Sequence, residues 1–481
     1  MSPLLPGIVA SNVFREHSWK LWCAVTVVQF AFALVGLVYG WYWTFLPLVA
    51  LVCAVAIAWP RAGVYILATA IYFRQALPGS VDVYPADVLT FLVILGALTN
   101  RFMHRKHIIE RTWVNRPLAL ILIVFAASLT MAFDLAPGMK NWARHAQLFG
   151  VIVALVSCLE WQDVAPLVRW MLILTAGFSL GNIAAYIAVG GEERIFGPTA
   201  AFFAIFTVLA TLHAAVGFLM SLKKSHRWAW GFLLLIYGLA LLATQTRAAM
   251  IQTILGLGLL FSIVWVWGRR SGQPYLQRRV LVLLSVLSVM ALIIVGDWIP
   301  LFHRPAARIT EVLEGHAHTV NLRMFLWKTG LRAFADSPIL GIGLGQVQRW
   351  DQFLPFWRLD VGALGTKGLG AHNDFITYIA ETGILGITAV LWLLWRMFAS
   401  GTRILSQVRL HEDATRTMML WIPVMGIVLG FFFSTHMFFS IPGILTAIYF
   451  AMWVRYSLSY ESGRDKSSGA FKLSVSGKAF S

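Results

Sequence analysis

The chain has 481 residues, 59% of them hydrophobic and only 12% charged, with a net charge of +17. A soluble domain carries about twice that charged fraction, and apolar runs long enough to cross a bilayer recur along the chain, which excludes a soluble globular protein. The positive balance is not a nucleic-acid footprint either, because the basic residues gather in short loops between apolar segments, where the positive-inside rule accounts for them.

Unpaired backbone amides are too costly inside a bilayer, and the strand alternation of a barrel is absent. The expected fold is therefore an all-α polytopic membrane protein of about 12, and up to about 14, transmembrane helices. A polar lead over residues 1–20 precedes apolar segments at 21–40, 43–59, 62–77, 87–99, 117–133, 143–160, 165–190, 199–220, 228–245, 247–267 and 279–296. A polar interval from Asp297 to Ala371 follows, then segments at 374–398, 417–434 and 438–457. Segments 62–77 and 87–99 are short for a span and fit a re-entrant pair, which separates the lower count from the higher. The first apolar run shows no cleavage site of a signal peptide. Cys23, Cys53 and Cys158 are widely spaced in or beside apolar segments and suggest neither a disulfide framework nor a zinc site.

The loops 100–116, 221–227, 268–279 and 399–416 and the tail carry the Lys/Arg excess. Alternation puts them on the cytoplasmic side with both termini, and puts the polar interval outside, since loops beyond about 60 residues cross regardless of charge. Four regions follow: a transmembrane bundle over 1–296, a large periplasmic loop with short helices over 297–371, transmembrane helices over 372–457, and a disordered cytoplasmic tail over 458–481. No internal repeat marks an inverted-repeat transporter.

Within the loop, residues 321–335 read as an amphipathic helix lying on the outer membrane surface. Asn321 would cap it, Leu322, Phe325, Leu326 and Phe334 share its apolar face, and Ser337-Pro338 ends it. Two glycine-rich runs, SPILGIGLG and GLG, come next.

His372 stands where the loop meets the next segment, with Asn373 and Asp374 as capping residues. It reads either as a plain junction residue or as a general base, since imidazole titrates near neutrality. Asp374, Tyr378 and Glu381 line one helix face, and Glu381 lies roughly 10 Å along the axis, at 1.5 Å per residue. Such a carboxylate needs a partner or a cavity. Arg247, in LLATQTRAAM, lies on the outer side, where topology does not call for arginine. It either snorkels or offers its planar fork to phosphate oxygens. Arg323 is a second candidate for the phosphate. Lys140, Arg144 and His145 in GMKNWARH, with Arg74 and Arg194, are basic residues expected in short outer loops, suited to anionic lipid head groups. GIGLGQ is a glycine-rich turn rather than a nucleotide loop, and His316 with His318 is too little for a metal site.

Three stretches resemble the bacterial O-antigen ligase/polymerase superfamily: TQTR ending in Arg247, NLRMFLWKTGLRAFADSPILGIGLG with Arg323, and AHNDFITYIAETGILG with His372. The resemblance runs by motif from Thr244 to Gly386, with one departure, Ala248, where the family often has glycine. It implies a membrane glycosyltransferase of about 12 spans that takes a glycan from undecaprenyl pyrophosphate on the periplasmic face of the bacterial inner membrane. The acceptor is lipid A-core in ligases and another lipid-linked repeat in polymerases. The essential histidine maps to His372 and the essential arginines to Arg247 and Arg323, with no metal, nucleotide or nucleic acid. Asn373, Asp374 and Glu381 would then orient the site, and Lys140, Arg144, Arg74 and Arg194 would meet the lipid-linked substrate. A transporter of lipid-linked sugars is the distant rival, and it predicts ionisable residues near the bilayer midplane.

Overall fold

A computed structural model describes residues 46–72, 84–104, 107, 109–190, 200–295, 318–347, 371–433 and 440–467. The expectations at Arg74, Arg194, His316, Cys23, the polar lead, the second glycine-rich run and the extreme tail lie outside the described residues. Among the described residues every regular element is helical. Cys53 and Cys158 are free thiols.

Contacts divide the chain into residues 1–109 and 110–481. In the first unit, α1 (Leu46–Ala58), α2 (Pro60–Ala70) and α3 (Pro85–Met103) pack on one another. The segment expected over 87–99 is thus a 19-residue helix, long and apolar enough to span. Its ends run past the apolar stretch because Asp87 caps the start, accepting from the Tyr84 N–H at 3.0 Å, and Arg101 sits in the last turn, where cations suit the helix dipole.

The second unit holds α4 (Asn115–Ser128), a 3₁₀ turn at Leu129–Met131, α5 (Leu135–Cys158), α6 (Trp161–Ala188), α7 (Ala200–Met220), α8 (Lys224–Ala243), α9 (Arg247–Arg270), α10 (Pro274–Val295), α11 (His318–Asp336), α12 (Asp374–Gln407), α13 (His411–Gly430) and α14 (Ser440–Ser467). The apolar stretches Phe202–Met220 of α7 and Ile441–Ser462 of α14 are buried almost all round, where a helix apolar on every side belongs. α8, α9 and α13 pack on α7, α5 on α14, α6 on α8, and both α4 and α11 on α12. Among the described residues seven helices (α3, α6, α7, α8, α9, α12 and α14) are long and apolar enough to cross a membrane. The expected segment 21–40 precedes the described residues.

One end of the second unit is closed by paired charges. Arg416 meets Glu412 and, at 3.7 Å, Asp413, with its guanidinium 5.8 Å from the Trp161 ring. Arg455 meets Glu110 at 3.1 Å, and Arg403 meets Glu461. Arg279 donates to the Leu219 and Ser221 carbonyls at 2.6 and 2.9 Å.

Candidate active site

The opposite end is built differently. α8 stops at Ala243 and α9 starts at Arg247, so the reversal is made by Thr244, Gln245 and Thr246 alone. The Thr244 hydroxyl donates to Leu241 O at 2.7 Å and accepts from the Thr246 N–H at 3.3 Å. Gln245 adopts a left-handed backbone, φ 50°. A side-chain-bearing residue there costs about 1–2 kcal/mol, and the tight turn places Arg247 in the first turn of α9, half-buried.

Arg323 comes from α11. That helix starts at His318, one turn before the expected cap Asn321, and ends at Asp336 ahead of Ser337-Pro338 as expected. It does not simply lie on a membrane surface. Leu326 and Ala333 pack against Ala371 and Ala380 at the start of α12, with Phe325 and Trp327 flanking. The Trp327 indole N–H donates to Ala371 O at 2.9 Å, fixing the residue before His372. Arg323 itself is half-buried and donates to Phe433 O at 3.4 Å.

His372 is the second left-handed non-glycine residue, φ 51°. The conformation turns the chain sharply into α12, and Asn373 caps that helix, its side-chain oxygen accepting from the Ile376 N–H at 3.1 Å. The Asp374 N–H donates to Phe431 O at 2.8 Å. The residues after α13, which also accept from Arg323, thereby tie α11 and α12 together. Burial, and then the Arg323 guanidinium, push the His372 imidazole down to about 4, so it is neutral near pH 7. Burial, and then Arg247, also lower Arg323. The structure thus brings Arg247, Arg323 and His372 from three separate stretches into one electrostatic group. Two guanidiniums close enough to influence each other repel, and an anion near both lowers that cost.

Beneath this group α12 is broken. Gly383 has φ 61° and ψ −161°, so the α-helical bonds from Ile384 to Ala380 and from Leu385 to Glu381 are lost. The loop after α11 replaces them. The Ile342 and Gly343 N–H groups donate to the Ala380 and Glu381 carbonyls at 2.9 and 3.1 Å. The Ile384 and Leu385 N–H groups donate to Pro338 and Ile339 O at 2.9 and 3.4 Å. Each orphan of the break is satisfied inside protein, the condition for irregular backbone at membrane depth. A Cβ at Gly341 would stand 2.4 Å from the Glu381 carbonyl carbon, and one at Gly383 2.3 Å from Ile339 O. This close approach explains both SPILGIGLG and ETGILG.

Glu381 belongs to the same joint. It is 1% exposed, and its carboxylate accepts from the Val347 N–H at 2.9 Å, with the Gly345 amide also facing it. Asp374 is fully buried at the start of α12. Lys140 and Arg144 lie on α5 rather than in a short loop, the first exposed and the second half-buried. His145, on the same helix, is fully buried and unavailable to a lipid head group. Its Nδ1–H donates to Asn141 O at 2.8 Å, and its Nε2 accepts from the Tyr378 hydroxyl at 3.1 Å. The loop-based expectation failed because the α5 helix begins at Leu135, well before its sequence turns apolar. Sequence reasoning also missed Gln346, fully buried, whose amide donates to Asp134 O at 2.8 Å and holds the loop against the start of α5. Among the described residues no group of three or more His, Cys, Asp or Glu side chains converges as a metal site would.

Residues 231–393 match the family model described as O-antigen ligase. That interval contains Arg247, Arg323, His372 and the whole joint. The chain is also 23% identical over 365 residues to the exopolysaccharide production protein ExoQ of Rhizobium meliloti (strain 1021), covering 70% of this chain and 80% of that protein. Both matches support the resemblance to the O-antigen ligase/polymerase superfamily.

Proposed function

With an O-antigen ligase domain as the premise, we propose that the protein is a membrane glycosyltransferase that moves a glycan from undecaprenyl pyrophosphate to an acceptor sugar. The observation that carries this reading is the meeting of Arg247, Arg323 and His372 at one end of the helical unit. The acceptor hydroxyl oxygen attacks the anomeric carbon in line with the bond to the pyrophosphate oxygen, and the configuration inverts. The glycosyl–oxygen bond breaks, and undecaprenyl pyrophosphate leaves with the bonding electrons. Arg247 and Arg323 hold the charge that grows on it, so the route calls for no metal. His372, neutral in the free protein, takes the acceptor's proton. Pyrophosphate between the arginines offsets their field on the imidazole and raises its basicity when substrate is present.

Asn373 fixes the turn that carries His372, Asp374 and Glu381 hold the first half of α12, and Lys140 and Arg144 approach the lipid-linked substrate. The Lys/Arg asymmetry supports an inner-membrane protein with cytoplasmic termini and a site facing the periplasm.

Lipid A-core as acceptor makes the protein an O-antigen ligase. The likeness to a protein named for exopolysaccharide production supports the second reading, a repeat-unit polymerase. A deletion strain with complementation separates them on a gel of lipopolysaccharide and lipid-linked intermediates. Bare core with accumulated polymerised lipid-linked glycan identifies the ligase. Core bearing one repeat identifies an O-antigen polymerase, and an unchanged lipopolysaccharide profile points to exopolysaccharide. Unchanged glycans of every kind would refute the transferase.

A further inference from the structure

The buried stripe of α6 changes character along its length. Its first half is aliphatic, with Val164, Val168, Met171 and Leu172 buried. Its second half buries Ser179, Asn182 and Tyr186 instead, three and four residues apart and so on one face with neighbouring Cβ atoms about 5–6 Å apart. This polar half faces the end of α8 and the turn before α9. The Asn182 amide donates to Ala240 O at 3.1 Å, and Tyr186 lies beside the Gln245 side chain. Gln245 is 2% exposed and lies two residues before Arg247.

Three atoms in this cluster have no hydrogen-bond partner among the described residues: Ser179 Oγ, Asn182 Oδ1 and Gln245 Nε2. Leaving a buried donor or acceptor unmade is costly, and aliphatic residues would fill the same face at no such cost, as they do lower on α6. The unmet set is neutral and mixed: an amide with protons to give, a carbonyl oxygen that accepts, and a hydroxyl that does either. A phosphate offers only acceptors and would leave Asn182 Oδ1 unmet. An isoprenoid chain offers neither donor nor acceptor. A sugar, whose every hydroxyl both donates and accepts, suits each of the three.

We propose that Ser179, Asn182 and Gln245 form a subsite for hydroxyl groups of the sugar next to the pyrophosphate in the lipid-linked donor. The inference rests on the proposed function, because Arg247 is what would hold the pyrophosphate within one sugar's reach of Gln245. On this reading the left-handed Gln245 has a purpose: the strained turn carries a phosphate ligand and a sugar ligand on adjacent positions of one reversal.

The test uses the purified full-length chain in lipid nanodiscs and two probes: undecaprenyl pyrophosphate carrying an oligosaccharide, and undecaprenyl pyrophosphate without one. Asn182→Leu and Gln245→Met are expected to weaken binding of the glycan-bearing lipid by about tenfold, the equivalent of one or two hydrogen bonds. Binding of the glycan-free lipid should not change. Ser179→Ala, which removes a single oxygen and leaves the helix intact, should cost about threefold on the glycan-bearing lipid alone. The melting temperature of Ser179→Ala should stay level or rise, because an unmet polar group has been removed; a merely structural role would lower it. Unchanged affinity for the glycan-bearing lipid overturns the subsite while leaving the transferase reading intact, and so does an equal loss on both lipids. Arg247→Met serves as the separate control and should weaken both lipids. Wild-type protein that binds neither lipid refutes the transferase reading, and the subsite falls with it.

Discussion

The two ends of the second helical unit use arginine in opposite ways. At one end four arginines have an anion or carbonyl beside them: Arg416 with Glu412 and Asp413, Arg455 with Glu110, Arg403 with Glu461, and Arg279 with two main-chain oxygens. At the other end Arg323 finds one carbonyl at 3.4 Å and the positive field of Arg247, and the pair bears on a histidine. The same side chain is thus a fastener at one end and a source of positive field on a neighbouring cation and imidazole at the other. Two guanidiniums set close enough to act on each other and on one imidazole make a positive end that suits an external anion.

The largest expected effect breaks the comparison at the anion end. His372→Ala and Arg247→Ala should each reduce glycan transfer about a thousandfold or more while the protein remains in the membrane at normal level. Normal transfer by either variant removes that residue from the chemistry. The next effect concerns the joint below. Gly383→Ala must place a Cβ 2.3 Å from Ile339 O in a left-handed backbone, costing about 1–2 kcal/mol for the conformation alone and more for the clash. Circular dichroism melts should show a clearly lowered transition, and an unchanged melt would mean that the loop does not dock on α12.

The pH profile comes third. Free protein with its imidazole pushed down to about 4 keeps a neutral base as pH falls through 6, so kcat/KM should hold nearly level to about pH 5 and fall tenfold per unit below about 4. Stability moves in the same direction. The unfolded chain binds its His372 proton near pH 6.5 and the folded chain near 4, so the contribution is complete above 6.5 and is lost as pH falls toward 4. An acid limb near 6.5 would show that neither burial nor Arg323 acts on this group.

The smallest effect tests the contrast directly. Arg416→Met should lower stability by about 1 kcal/mol, since its carboxylate partners are partly exposed, and leave transfer intact. Arg323→Met should instead raise the melting temperature of the substrate-free protein by a degree or two, by relieving like-charge repulsion. Inorganic pyrophosphate should stabilise the wild type and lose that effect in Arg323→Met. Equal signs for the two arginine substitutions would erase the difference between the ends.

Much of this was legible in the residues. Helical character, the start of α12 at the Asn373 cap, the end of α11 at Ser337-Pro338 and the meeting of TQTR, Arg323 and His372 follow from hydropathy, capping chemistry and motif order. What was not legible has a common cause. α5 begins at Leu135, well before its sequence turns apolar, and it carries Lys140, Arg144 and His145 into helix; α3 likewise outruns the segment 87–99. Hydropathy marks where a helix is greasy, whereas caps and hydrogen bonds decide where it ends. The break at Gly383 was hidden for a different reason. Its bonds join residues some 40 positions apart through main-chain atoms, and no local pattern records a partner so distant. The polar face of α6 escaped because Ser179, Asn182 and Tyr186 are single substitutions in an apolar run, each unremarkable until α8 and Gln245 are set against them.

The docking of residues 338–343 onto 380–385 bears on how hybrids of such proteins can be built. The four hydrogen bonds are main chain to main chain, so they tolerate exchanged side chains but not exchanged register. A graft that takes the loop from one relative and α12 from another keeps the joint if both supply glycine at the positions of Gly341 and Gly383 and no residue is gained or lost inside either segment. One inserted residue between Ser337 and Gly343 shifts donors against acceptors and unseats the start of α12, His372 included. Cut points placed after Val347 and before Ala371 leave the pairing whole, which makes the chain between them the natural cassette to trade.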